Sequence, residues 1–222
     1  TTVVTAINAN SDAYTFTATT ATTTLANNDI VATYVNTDTQ NTAWTLNGGK
    51  TLTVTGSITA LAQGDTVAIT LAGTDTTLAL GEAAVETQST GVITIAAGAG
   101  TTVQVTGADT HVWSVNGSSD GVGTLLSSNN STFSDVIGTT NALATITQIT
   151  GKTGTFSEAV EATTINMVGT GVFKKAITAT SIILDGTMTV NNTAVIAVAG
   201  TFTEYAANDT TKLIIKETAD EA

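Results

Sequence analysis

Histidine and the carboxylates are the first residues to consider for chemistry, because they could act as an acid, a base or a metal ligand. His111 is the only histidine in the chain and lies in Thr110-His111-Val112-Trp113. A catalytic triad would need a serine and a carboxylate beside it. Both residue types are common here, so their presence alone does not indicate a triad. We therefore expect His111 to be a strand or turn residue near Trp113 rather than a catalytic base.

Paired carboxylates are the second candidate, since two of them can hydrolyse a glycosidic bond. Glu158 and Glu161 are three positions apart, and on a β-strand this spacing places them on opposite faces. The β-helices that cleave polysaccharides also rely on basic residues and calcium, and this chain contains no arginine. We therefore predict that the protein is not an enzyme and has no catalytic residues.

Calcium is the metal that the oxygen-rich loops would bind, because it prefers carboxylate and amide oxygens. Asp109, Asp120 and Asp135 are the candidate ligands, and Asn116, Asn129 and Asn130 lie among them. No EF-hand loop and no G-G-x-G-x-D repeat accompanies them. The alternative is that these are solvated acidic loops that keep the protein soluble. No other cofactor is predicted.

The composition excludes several classes of function. The net charge is -12, all six basic residues are lysines, and there is neither cysteine nor proline. Such a charge repels nucleic acid and anionic membranes. Without cysteine there is no thiolate nucleophile, no disulfide and no cysteine-based zinc site. The sequence has no apolar run of the length that a membrane-spanning helix needs, so we predict no membrane insertion.

The elements that must position these residues are predicted to be β-strands. Threonine, valine and isoleucine favour strands, and apolar residues alternate with threonine in runs such as 50–56 and 101–107. Turn dipeptides such as Asn116-Gly117 and Asp185-Gly186 separate these runs. Helix candidates are few, and Ala79–Gln88 is the best of them. The fold class is therefore all-β.

A direct repeat narrows this prediction to a solenoid. Residues 153–169 (TGTFSEAVEATTINMVG) align without gaps with residues 170–186 (TGVFKKAITATSIILDG), and eight of 17 positions are identical. Abutting copies of a short unit are typical of parallel coils that stack. In such a stack Phe156 would lie on Phe173, and Glu158 beside the opposite charge of Lys175. A β-sandwich built from a duplicated segment is the alternative.

The repeat is clear only in the second half of the chain. We therefore divide the sequence into an N-terminal β region or cap, 1–115, and β-solenoid repeats, 116–222. The Gly/Ser/Asn-rich stretch 116–131 marks the boundary. A single continuous domain is the alternative to this division.

Two stretches resemble a known family of surface proteins. Asp135–Thr147 (DVIGTTNALATIT), running into Ala162-Thr163-Thr164-Ile165, resembles the "TNALATV … ATT" units of rickettsial-type autotransporter passengers. Residues 41–56 (NTAWTLNGGKTLTVTG) resemble the "AGKTLTITG" style near the start of the same passengers. The resemblance implies a secreted, right-handed parallel β-helix that serves as an adhesin or surface-layer material.

The sequence thus leads to one functional hypothesis and one alternative. The first is a structural or adhesive protein of the bacterial cell surface that self-associates into a layer or filament and contacts host or cell-surface glycans. The alternative is a carbohydrate- or calcium-binding module of a larger secreted protein. In the carbohydrate version Tyr34, Trp44 and Trp113 would be exposed stacking platforms.

Overall fold

The computed structural model describes residues 14–18, 22–25, 29–36, 42–46, 48–54, 58–60, 66–81, 92–191, 195–204 and 211–216. Side chains are described within 45–46, 48–54, 68–81, 98–191, 195–204 and 211–215. All regular elements in these ranges are β-strands. None of the described residues belongs to a helix long and apolar enough to cross a membrane.

The strands, in chain order, are β1 (Tyr14–Ala18), β2 (Thr22–Leu25), β3 (Asp29–Asn36), β4 (Thr42–Leu46), β5 (Thr51–Val54), β6 (Ile58–Ala60), β7 (Thr66–Leu71), β8 (Thr77–Leu80), β9 (Val92–Ala97), β10 (Thr102–Val105), β11 (Thr110–His111), β12 (Trp113–Gly117), β13 (Thr124–Ser127), β14 (Ser131–Phe133), β15 (Leu143–Gln148), β16 (Thr153–Phe156), β17 (Val160–Met167), β18 (Thr170–Phe173), β19 (Ile177–Leu184), β20 (Thr187–Asn191), β21 (Ile196–Glu204) and β22 (Lys212–Lys216).

These strands form three parallel sheets, which we call faces 1, 2 and 3. Face 1 has the order β1-β3-β5-β8-β10-β13-β15-β17-β19-β21, with β6 beside β3. Face 2 has the order β11-β14-β16-β18-β20-β22, and face 3 the order β12-β9-β7-β4-β2. Single bridges from Val115 to Ile137 and from Ile137 to Val160 extend face 3 toward the C-terminus. Apart from β5 and β6, successive strands along the chain therefore belong to different faces, which defines a β-solenoid.

The solenoid makes about five turns between residues 102 and 204. This confirms the predicted all-β solenoid in the C-terminal half and rules out the sandwich alternative.

The strand pairs on face 1 show that the coils are unequal in length. Equivalent positions of successive coils are Thr77, Thr102, Thr124, Thr145, Thr164 and Ser181. The interval between neighbours in this series decreases at every step, so the coils shorten toward the direct repeat.

The direct repeat is confirmed residue by residue. Thr153 pairs with Thr170 and Phe156 with Phe173 on face 2. On β17 and β19, Val160 pairs with Ile177 and Ile165 with Ile182. Glu158 and Lys175 consequently occupy equivalent positions of successive coils, as the alignment predicts. Lys175 is exposed, so the attraction between the two charges contributes little to stability.

The core is a set of columns in which each coil places a similar apolar side chain on that of the coil before it. Face 1 contributes seven residues that are at most 1% exposed: Leu52, Leu78, Val103, Leu125, Ile146, Ile165 and Ile182. Face 2 contributes His111, Phe133, Phe156, Phe173 and Val190. Strong burial of alternate residues explains why the period-2 pattern in the sequence was informative.

One predicted element is wrong. Ala79 and Leu80 lie in strand β8 and not in a helix, because both pair with β10 in the face 1 ladder. Residues 82–88 of the predicted helix lie outside the described residues. The division of the chain at residue 116 stays a prediction, although the face 1 ladder runs from β8 through β10 to β13 across that position.

Gly138 occupies a place that only glycine fits. Its φ is +74°, and a Cβ added there would collide with the carbonyl group of Glu161 on the next coil. The Gly138 N–H donates to the Val115 carbonyl of the preceding coil at 2.7 Å. Close approach of three coils therefore requires the absence of a side chain at this position.

Candidate functional site

His111 lies at the start of the aromatic column on face 2. Its ring centroid is 5.3 Å from that of Trp113 and 5.8 Å from that of Phe133. The side chain is 0% exposed, and neither ring nitrogen has a hydrogen-bond partner. Burial lowers the pKa of His111 from 6.5 to about 4, and the nearby carboxylate of Asp109 and the backbone of Gly107 offset this only partly. The sequence predicted a strand or turn residue near Trp113, and His111 lies in strand β11 beside Trp113.

A neutral, water-excluded imidazole is poorly suited to acid–base chemistry on an external substrate, because proton transfer requires contact with the reacting group. The His111 ring instead continues the stack of Phe133, Phe156 and Phe173. Its role in the described structure is packing.

Trp113 is not an exposed stacking platform, so that prediction is wrong. The side chain is 0% exposed and meets Phe133 edge-on, with ring centroids 6.1 Å apart. All five residues of β12 are buried. Trp113 and Val115 belong to the core, and a later loop bonds Asn116 and Gly117. The Thr140 N–H donates to Asn116 Oδ1 at 3.1 Å, and the Gly117 N–H donates to the Asn141 carbonyl at 3.0 Å. The side chains of Tyr34 and Trp44 lie outside the described residues.

The three calcium candidates lie on separate loops. Asp109 and Asp120 are exposed, and Asp135 is half-buried. Asp120 Oδ1 accepts the Ala142 N–H at 3.0 Å, and Asp135 Oδ1 accepts the Val136 N–H at 2.7 Å. In the described part of the chain no three His, Cys, Asp or Glu residues are grouped as metal ligands. Calcium binding by these aspartates stays a prediction.

The loop asparagines and serines link successive coils. Asn130 Oδ1 accepts the Thr153 N–H at 2.8 Å, and Asn129 Nδ2 donates to the Thr106 carbonyl at 2.8 Å. Ser131 Oγ donates to the buried Gly107 carbonyl at 2.7 Å. Each bond joins positions 23 or 24 apart in the sequence. We call these side-chain bonds between coils the coil links. The sequence showed the oxygen-rich loops but not what they contact.

Two shallow grooves follow the corners of the solenoid. The first, of about 240 Å³, runs between faces 3 and 1 and is bordered by Asp120, Glu161, Thr163, Thr178 and Thr180. Glu161 is therefore on a groove wall. The structure brings it near Asp120, a pairing that the sequence did not predict.

The second groove, of about 230 Å³, lies at the turn between faces 1 and 2. It is bordered by Thr150, Thr170, Asp185 and Thr187. Asp185 Oδ1 is buried without a hydrogen-bond partner. From the sequence, Asp185 was recognised only as part of a turn.

The outer surface of face 1 is an unbroken column of hydroxyl groups, which we call the hydroxyl column. Its members stand in register on successive strands: Thr51, Thr77, Thr102, Thr124, Thr145, Thr164, Ser181 and Thr201. Ser181 Oγ and Thr201 Oγ1 are 3.0 Å apart and share a hydrogen bond. The sequence predicted threonine on the outer faces. It did not show that these hydroxyls stand in one column from Thr51 to Thr201.

The comparisons with known proteins yield no relative. No family model, no curated protein and no solved structure matches this chain. The function of this chain is therefore inferred from its β-solenoid fold and from the surfaces described above.

Proposed function

We propose that the protein is a structural or adhesive element of a bacterial cell surface, and that its function depends on its shape. The observation that carries this proposal is the hydroxyl column together with the core columns inside it. Both repeat from coil to coil over the whole length of face 1 that has described side chains. Such repetition produces a stiff, regular surface rather than one localised site.

The loops support the same proposal. Their amides and hydroxyls, which could have bound a ligand, form the coil links instead. The Ser131 link is buried, whereas those of Asn129 and Asn130 are exposed. A typical hydrogen bond contributes roughly 1 kcal/mol, and the links recur along the chain. The polar residues of the loops thus stabilise the stack of coils.

Charge is distributed in a way that favours contact with neutral partners. The second outward column of face 1 also contains no charged residue; its members are Thr53, Ala79, Gln104, Leu126, Thr147, Asn166, Ile183 and Thr203. In a chain of net charge -12, these two columns therefore form an uncharged strip on which a glycan or a neighbouring copy meets little electrostatic repulsion. Glu161 and Glu204 lie elsewhere on the same face.

The resemblance of Asp135–Thr147 and residues 41–56 to rickettsial-type autotransporter passengers is further support. Those passengers are secreted β-helices, and the fold found here is a β-solenoid. The extracellular location and the adhesive role are taken over from that resemblance as part of the proposal.

The alternative of a carbohydrate- or calcium-binding module has weaker support. Trp113, one of its three aromatic platforms, is buried. Asp120 and Asp135, two of its three calcium candidates, each accept a backbone N–H group. We therefore place the structural role first.

Immunogold labelling of intact and permeabilised cells of the producing bacterium tests the proposal. We expect an antibody against this chain to label intact cells, whereas an antibody against a cytoplasmic protein labels only permeabilised ones. Labelling of the chain only after permeabilisation would refute the surface location and the proposal with it.

A further inference from the structure

The uncharged strip on face 1 is regular in two directions. Across the strands, the hydroxyl column repeats once per strand from Thr51 to Thr201, and hydrogen-bonded strands lie about 4.8 Å apart. Along each strand, the second column follows two residues later, a distance of roughly 6.6 Å. Strands β5, β15 and β21 carry a hydroxyl in both columns. The strip is therefore an array of outward groups with two fixed spacings.

The hydroxyl column is also stiff. Thr124 and Thr145, two of its central members, are half-buried and pair with each other on neighbouring strands. Threonine is β-branched, so its side chain has few rotamers. The residues that follow them, Leu125 and Ile146, are fully buried and fix the backbone beneath. A ligand that binds this column therefore loses little affinity to the ordering of side chains.

Such an array selects a ligand that repeats as the strip does. Eight successive strands each contribute one hydroxyl and no charge to the hydroxyl column. A compact ligand would contact two or three of these hydroxyls and leave the others unused. A ligand that uses all of them must present hydrogen-bonding groups at the strand spacing over roughly 34 Å.

Ice has these properties. Its surface is an uncharged lattice of water molecules that donate and accept hydrogen bonds, and its oxygen atoms repeat at distances close to both spacings of the strip. A threonine hydroxyl can donate and accept in return, and its methyl group packs between the lattice oxygens. A glycan fits less well, because aromatic rings are the usual platforms for sugars. Neither column contains an aromatic residue between Thr51 and Thr203.

We propose that the uncharged strip binds ice. This inference rests on the proposed function and names the ligand of that surface, so that a cell displaying the chain would adhere to ice. Face 2 is less suitable because its column of Thr153, Thr170 and Thr187 is shorter and continues into Lys212.

Microscopy of single ice crystals in a solution of the full chain tests the proposal. We expect wild-type protein to shape the crystals into facets and to lower their freezing temperature below their melting temperature. Thr124→Lys places a charge in the middle of the hydroxyl column and should abolish most of this temperature difference. Thr145→Lys, on the next strand, should do the same and serves as the second variant if Thr124→Lys folds poorly.

Thr155→Lys is the matched control. Thr155 is a half-buried, outward threonine of β16, which lies between β14 and β18 on face 2. The variant adds the same charge to the same kind of strand position, so it should affect ice as wild type does. Circular dichroism establishes that each variant keeps its β-structure.

Three outcomes overturn the inference. Equal freezing and melting temperatures with wild-type protein exclude ice as the ligand. Equal losses in Thr124→Lys and Thr155→Lys show that face 1 is not the binding surface. Co-sedimentation of wild type, but not of Thr124→Lys, with insoluble cellulose or chitin, in a chain that leaves ice growth unchanged, identifies a neutral glycan instead. Surface labelling is independent of all three, so a failure here is distinguishable from a failure of the proposed function.

Discussion

Phe156 and Phe173, which occupy the same position in the two copies of the direct repeat, lie with ring centroids 4.7 Å apart and planes 8° from parallel. The distance is close to the spacing of hydrogen-bonded strands. The spacing of the paired strands therefore brings each ring into stacking contact with the ring of the next coil. Phe133 stacks on Phe156 in the same way at 4.9 Å. One repeated residue type thus fills the centre of three successive coils.

Truncating the middle ring of this stack should be costly. We expect Phe156→Ala to lower the free energy of unfolding by about 3–5 kcal/mol, because it leaves a cavity between two rings that cannot collapse onto each other. Urea denaturation measures this loss. Val172→Ala, at a half-buried outward position of β18, is the control and should lose no more than about 1 kcal/mol. Equal losses would contradict the assignment of the aromatic column to the core.

His111 should make stability depend on pH. Its pKa is lowered from 6.5 to about 4 in the folded chain, so between these values the unfolded chain binds a proton that the folded chain does not. The free energy of unfolding therefore falls as the pH decreases from 6.5 toward 4, by about 3 kcal/mol in total. Well above pH 6.5 His111 is neutral in both the folded and the unfolded chain, so its titration no longer changes the free energy of unfolding.

His111→Phe isolates this effect from the titration of the carboxylates. Phenylalanine continues the column of Phe133 and Phe156 and carries no titrating group. We expect the difference in unfolding free energy between wild type and His111→Phe to change between the unfolded and folded pKa values of His111, and to be constant at higher pH. A difference that stays flat across the whole range would show that His111 is not buried in its neutral form.

Two glycines with positive φ should respond very differently to substitution. Gly138 and Gly151 have φ of +74° and +69°, but a Cβ at Gly151 would meet nothing within 4 Å. Gly151→Ala should therefore cost only the backbone strain, about 1–2 kcal/mol. Gly138→Ala adds the collision with Glu161 and should cost several kcal/mol or prevent folding. Thermal unfolding followed by circular dichroism compares the two, and similar melting temperatures would contradict the close approach at Gly138.

The coil links predict a measurable role for an exposed asparagine. Asn130→Ala removes the acceptor for the Thr153 N–H and should lower the free energy of unfolding by about 1 kcal/mol. Asn130→Asp keeps an oxygen at that place and should retain most of the stability. Urea denaturation of the three proteins is the measurement. Asp and Ala variants of equal stability would show that the bond contributes nothing.

The fold was predictable where the sequence repeats and not where a loop covers a strand. The pairing of 153–169 with 170–186 followed from eight identities, because stacked parallel coils place identical positions next to each other. Trp113 was misplaced because alternation in a single sequence identifies the two sides of a strand but not which side faces the core, where Trp113 lies. The loop at Thr140 and Asn141, which bonds Asn116 and Gly117 of β12, belongs to the next coil and is distant from that strand in the sequence.

The candidate surfaces were less predictable for a related reason. The oxygen-rich loops were found from residue types alone. Whether Asn130 contacts a metal or the Thr153 N–H depends on which loop lies above it, and coil length varies too much to predict that. The hydroxyl column shows the same limit, since the interval between its members changes from coil to coil and no constant period connects them.

The unequal coils also bear on how the chain finds its correct pairing during folding. Each coil from β5 to β21 offers a similar hydroxyl and a similar apolar residue on face 1, so these columns alone would allow a strand to pair one coil too early or too late. A displaced coil would match the backbone but would misplace Asn130, Asn116 and Gly138, whose contacts are each with particular residues of the adjoining coils. Irregular coil length and single coil links therefore determine the order of the stack, whereas the repeated columns provide most of its stability.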